Sequence, residues 1–92
     1  MEYEWDEAKR LSNLKKHGVD FADALEFDWE GALVQLDNRF DYGEQRFLAL
    51  GLFRDRIHSV AYTKRHGVTR IISFRKAEKR EARRYEKEKK QS

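Results

Sequence analysis

The 92-residue chain is long enough for one domain and too short for two, and a domain of this size buries only about 60–65% of the surface its unfolded chain exposes. It is 40% charged and 39% hydrophobic and has neither cysteine nor proline, which excludes disulfides, thiolate metal sites and a cysteine nucleophile. The net charge of +3 is divided unevenly, with −7 over residues 1–44 and +10 over residues 45–92; such a division suits either a polyanion partner or a solvated basic helix.

In chain order, residues 2–5 read as a short edge strand. Asp6 is an N-cap, and Glu7–His17 is helical, with Ala8, Leu11 and Leu14 as its apolar stripe. Lys15, Lys16 and His17 sit where cations complement the helix dipole, and Gly18 stops the helix. Asp20 caps a second short helix over residues 21–27. Strands are expected over residues 32–36, 45–53, 57–64 and 68–74, joined by polar turns. Residues 45–53 present two apolar faces, Leu48, Leu50 and Leu52 against Phe47, Ala49 and Phe53, so this strand is covered on both sides by the chain or by a partner. Residues 76–90 are helical by propensity, with a thin stripe of Ala77, Ala82 and Tyr85. The expectation is a single α+β domain over residues 1–92: a small antiparallel sheet of about four to five strands, two N-terminal helices and one C-terminal helix on one face, with residues 76–92 as a charged helix and tail. No signal peptide is evident, and the longest apolar run, Phe47–Phe53, is too short to span a membrane; a cytoplasmic protein is expected.

No Gly-rich phosphate loop and no paired-histidine metal motif occurs, so neither a cofactor nor a metal is expected. What remains is cationic. On the last strand, strict alternation sets Arg70, Ile72 and Phe74 on one face and Ile71, Ser73 and Arg75 on the other. Guanidinium groups match phosphate oxygens bidentately and stabilise charge developing at phosphorus. Ser73 could donate to a phosphate or serve only as a small strand residue. Glu81 and Tyr85, at i and i+4, share a helix face. They could supply a base and a stacking ring, or Glu81 could pair with Arg84 while Tyr85 packs on the sheet. His17 could act as acid or base, or simply end its helix.

Two stretches carry a family resemblance. Trp5-Asp6-Glu7-Ala8-Lys9, Asn13, Lys16-His17-Gly18-Val19 and Phe21 resemble the opening motif of the BrnT toxin family. Residues 70–77, with Arg70, Ser73, Arg75 and Ala77, followed by Glu81 and Tyr85, resemble its closing motif. The resemblance implies a RelE-like fold and a ribonuclease that blocks translation. It also implies a BrnA-like antitoxin that covers the toxin and binds operator DNA within a hetero-oligomer. RelE-like toxins cut RNA without metal, through attack of a ribose 2′-OH on the adjacent phosphate. On that basis Arg75 and Arg70 would stabilise the phosphorane, Glu81 or His17 would be the base, and Lys9 or His17 would assist the leaving group. Trp5, Asn13, Lys16, Ser73, Tyr85 and Arg84 would bind substrate. The residues alone leave two alternatives open: a non-catalytic nucleic-acid-binding module, or an interaction module that docks an acidic partner.

Overall fold

The computed structural model describes residues 2–90. The elements are β1 (Tyr3–Trp5), α1 (Glu7–His17), a 3-10 helix (Phe21–Glu26), β2 (Leu33–Leu36), β3 (Phe47–Phe53), β4 (Arg56–Arg65), β5 (Val68–Lys76) and α2 (Lys79–Lys90). The last two residues of the predicted charged tail lie outside the described residues. Among the described residues, no helix is long and apolar enough to cross a membrane.

The α+β class is as expected, but the sheet is mixed. Its order is β1-β5-β4-β3-β2, and β1 runs parallel to β5 while every other pair is antiparallel. The chain reaches β5 from β1 only after several intervening elements, so nothing constrains that pair to a hairpin. The predicted second helix is a 3-10 helix: Asp20 caps it through Ala22 N–H, and the segment is six residues long, longer than most runs of this geometry.

Two tight turns close the β3–β4 and β4–β5 hairpins. Arg54 and Asp55 have φ of 48° and 67°, and His66 and Gly67 have φ of 51° and 81°. Positive φ at both central residues is what the type I′ turn of a two-residue hairpin requires.

One sheet face carries the core. Rows of paired residues, Phe47–Tyr62–Ile71 and Ala49–Val60–Phe74, lie beneath Phe21 and Ala24 of the 3-10 helix and Phe27 just after it. Phe74 is fully buried and meets Phe27, Phe53 and His58 edge-on. β3 passes so close to this layer that a Cβ on Gly51 would sit 2.8 Å from Phe27 Cζ. The opposite face carries Leu50–Ser59–Arg75 and Leu48–Ala61–Ser73, and α2 packs over β3 and β4. The helices therefore do not share one face, and β3 is covered on both sides by its own chain.

A bulge in β5 corrects the predicted alternation. Ala61 pairs with Ser73 and the next residue, Tyr62, pairs with Ile71, so Ile72 has no partner in β4. The extra residue lets Ile71 and Phe74, three apart, both point into the core. Arg70 then shares the α2 side with Ser73 and Arg75 instead of opposing them.

α1 is turned away from its predicted stripe. Leu11 and Leu14 are 53% and 37% exposed, while Asn13 is buried. β1 pairs with β5 only as far as Ile71. Beyond it, Asn13 Nδ2 donates to Phe74 O (2.7 Å) and Val19 O (3.0 Å), and Asn13 Oδ1 accepts from Phe74 N (3.2 Å). One amide side chain thus replaces the missing neighbouring strand.

The β2–β3 loop is organised around Asp37, whose side chain is 3% exposed. It accepts from Arg39 Nε (2.8 Å), Arg39 Nη2 (2.9 Å), Arg39 N (3.3 Å) and Tyr42 Oη (3.1 Å). The Arg39 side chain above all holds this carboxyl down, from its ordinary 3.8 to about 2. A folded-state value below the unfolded one stabilises the protein above about pH 4 and ceases to do so as pH falls through about 2. Asp37→Asn is expected to lower stability by about 1–2 kcal/mol at pH 7 and to flatten the stability curve between about pH 4 and 2. Chemical denaturation at several pH values measures both effects, and equal slopes for variant and parent would refute the assignment.

Candidate nucleic-acid site

The site grows from the way α1 meets the open edge of β5. Lys9, Ser12, Lys16 and Asn13, with His17, recur at helical spacing on one side of α1. The Asn13 clamp sets that side against the bulge. Lys9, Ser12, Asn13, Lys16 and His17 therefore line a shallow cleft of about 300 Å³ whose other wall is Ile72 and Ser73. The cleft brings together five residues expected to act on substrate: Lys9, Asn13, Lys16, His17 and Ser73. Ser12 and Ile72 were not expected: Ser12 was legible from its spacing to Lys9 and Lys16, whereas Ile72 depends on the bulge.

Partial desolvation first, then the positive charges of Lys16 and Arg75, hold the His17 imidazole below its ordinary value. It is therefore neutral at physiological pH and able to accept a proton.

Arg75 lies two residues beyond Ser73 on the same sheet face and pairs bidentately with Glu81. Its Nη1 is 2.8 Å from Oε1 and its Nη2 is 3.1 Å from Oε2. Glu81 Oε1 also accepts from Glu78 N at 2.8 Å, so it anchors the first turn of α2 as well. Burial pushes the Glu81 carboxyl up, but Arg75 and the Glu78 N–H outweigh it and hold the group below its ordinary range. A carboxylate engaged by three donors and held ionised is a weak proton acceptor and a good orienting group. Its partner is Arg75 and not the alternative, Arg84. The Glu81 contact in turn raises the Arg75 guanidinium, which stays charged.

The other expected residues lie elsewhere. Arg70 faces Glu4 at 3.7 Å, near the β1 end of the sheet. Trp5 packs against the core, and its Nε1 donates to Glu7 Oε2 at 3.2 Å. Tyr85 is buried where α2 meets Gly31, Ala32 and Leu33, so its ring packs against the protein and is not offered for stacking. Arg84 lines a second groove of about 250 Å³ with Gln35, Arg39, Leu48, Leu50, Arg80 and Glu81.

Fold and site together define a small α+β protein with a cationic cleft holding a neutral histidine, a class suited to chemistry on a polyanion. The model of one family, the ribonuclease toxin BrnT of type II toxin–antitoxin systems, matches residues 5–81. That span includes α1, β5 and Glu81, and the chain belongs to this family. No curated protein matches the chain.

Proposed function

We propose that the chain is a toxin that cleaves RNA without metal and thereby inhibits translation, in the manner of RelE-type toxins, with its reaction centre in the cleft between α1 and β5. The observation that carries this reading is the convergence of His17, Lys9, Lys16 and Ser73 in one cleft beside a fixed guanidinium, Arg75. Neutral His17 takes the proton of a ribose 2′-OH as its oxygen attacks the adjacent phosphorus. Arg75 stabilises the charge that builds on the phosphorane oxygens. The bond from phosphorus to the 5′ oxygen breaks, and Lys9 or Lys16 delivers a proton to that oxygen. The products are a 2′,3′-cyclic phosphate and a 5′-hydroxyl; solvent restores both protonation states. Glu81 orients Arg75 and takes no proton. A BrnA-like antitoxin is the partner that would cover the basic face and carry the operator-binding element.

The test is cleavage of an RNA oligonucleotide in EDTA across pH. Full activity in EDTA is expected, with kcat/KM falling at acid pH through a value below about 6.5, as protonation removes the base. His17→Gln should abolish that acid limb and lower the rate about 10²-fold. Loss of cleavage in EDTA would end the metal-free scheme, and an unchanged acid limb in His17→Gln would remove His17 as base.

A further inference from the structure

Apart from Glu81, the second groove has no role in the reaction above, and its makeup is specific. Its floor is the apolar pair Leu48 and Leu50, and three arginines, Arg39, Arg80 and Arg84, line it. These come from two distant parts of the chain, the β2–β3 loop and α2. The Arg39 guanidinium is held along one edge, through Nε and Nη2, by the bidentate Asp37 contact, yet the side chain is 62% exposed. The loop therefore commits a buried carboxylate and a tyrosine hydroxyl to holding one guanidinium in solvent. Such an arm costs little further ordering when it meets a ligand.

The groove also adjoins the cleft. Leu50 and Leu48 lie in the same rows of the sheet as Arg75 and Ser73, and the Arg75–Glu81 pair stands between the two, Glu81 lining the groove itself. Glu81 is the one acid in a lining with three cations, and it is already paired with Arg75. An anion with a flat apolar part matches this surface: guanidinium groups for phosphate, leucines and guanidinium planes for a base.

We propose that the groove of Arg39, Arg80 and Arg84 is a subsite for single-stranded RNA flanking the scissile phosphate, with Arg39 as a preset phosphate contact. This rests on the ribonuclease reading and extends it to a segment, the β2–β3 loop, that lies outside both sequence motifs. The groove selects for strands longer than a dinucleotide. The chemistry itself stays in the cleft.

The experiment measures anisotropy of 2′-O-methyl RNA, which cannot be cleaved, as a dinucleotide and as a decamer over a range of KCl. Arg39→Gln and Arg84→Gln are expected to weaken decamer binding on the order of tenfold each and to leave dinucleotide binding unchanged. The slope of log K against log salt should fall by about 0.7 for each phosphate that a variant no longer neutralises. Asp37→Asn should reproduce part of the Arg39→Gln loss, because the charge remains and its placement does not; Arg39→Lys should do the same. Unchanged decamer affinity and slope in Arg39→Gln and Arg84→Gln, with the parent binding normally, would overturn the subsite and leave the ribonuclease reading intact. Loss of antitoxin binding in these variants with RNA binding retained would overturn it in favour of protein docking. A parent protein that binds neither RNA would overturn both readings.

Discussion

Asn13→Ala is expected to unfold the domain more readily than any other single truncation on α1. The substitution strands three buried backbone groups: the N–H and C=O of Phe74, a fully buried residue, and the C=O of Val19. Each unsatisfied group costs roughly 1–3 kcal/mol, so a loss of about 3 kcal/mol is expected, and Tm should fall by about 12–24 °C for a domain of this size. Asn13→Leu should not recover it, since shape without hydrogen bonds leaves the same groups unpaired. Because α1 is held to β5 through this residue, cleavage should fall with stability. Calorimetry and a melt followed by circular dichroism check the effect, and a Tm within about 3 °C of the parent would show that water or a neighbouring group satisfies Phe74.

Arg75→Ala should have the largest effect on turnover. If the guanidinium stabilises the phosphorane, its removal lowers kcat by about 10²–10³-fold with a smaller change in KM. Arg75→Lys should recover only part, because an ammonium cannot make the bidentate contact to Glu81 and loses its orientation. Glu81→Gln separates the two roles open to that residue. As an orienting group, its replacement lowers the rate moderately and leaves the acid limb of the pH profile in place, since His17 still sets that limb. As the base, its replacement would abolish the limb. Single-turnover cleavage of the three variants across pH distinguishes these outcomes, and Arg75→Ala with parental kcat would move the reaction centre away from β5.

The two strongest effects fall on residues whose sequence readings differ in kind. Arg75 was singled out because alternation sets it with Ser73 on one face of the last strand and a guanidinium matches phosphate oxygens. Asn13 was singled out by the motif as a substrate contact, but its hydrogen bonds run to backbone. Polar groups on a helix surface give no sign of what they face until a strand edge is placed beside them. Leu11 and Leu14 misdirected the reading of α1 for the same reason: an apolar stripe marks the buried face only when the helix lies over a sheet, and this one lies along an edge.

The sequence by itself determined what depends on near neighbours. Asp6 and Gly18 bound α1, Asp20 starts the next turn, and alternation over residues 45–53 predicts a strand covered on both sides. Lys9, Lys16 and His17 recur on one side of α1 because helical spacing is local. Tertiary structure decided what depends on pairing between distant segments. The parallel placement of β1 against β5 leaves the open edge that Asn13 fills. The bulge at Ile72 depends on register with β4, and it moves Arg70 to the side of Ser73 and Arg75. The partner of Glu81 is Arg75 across a turn and not Arg84 one helical turn away, because burial against the sheet rewards the bidentate pair more than solvent rewards a surface contact. Arg39 carries no motif at all, and only the buried carboxylate of Asp37 shows that the chain holds it in place.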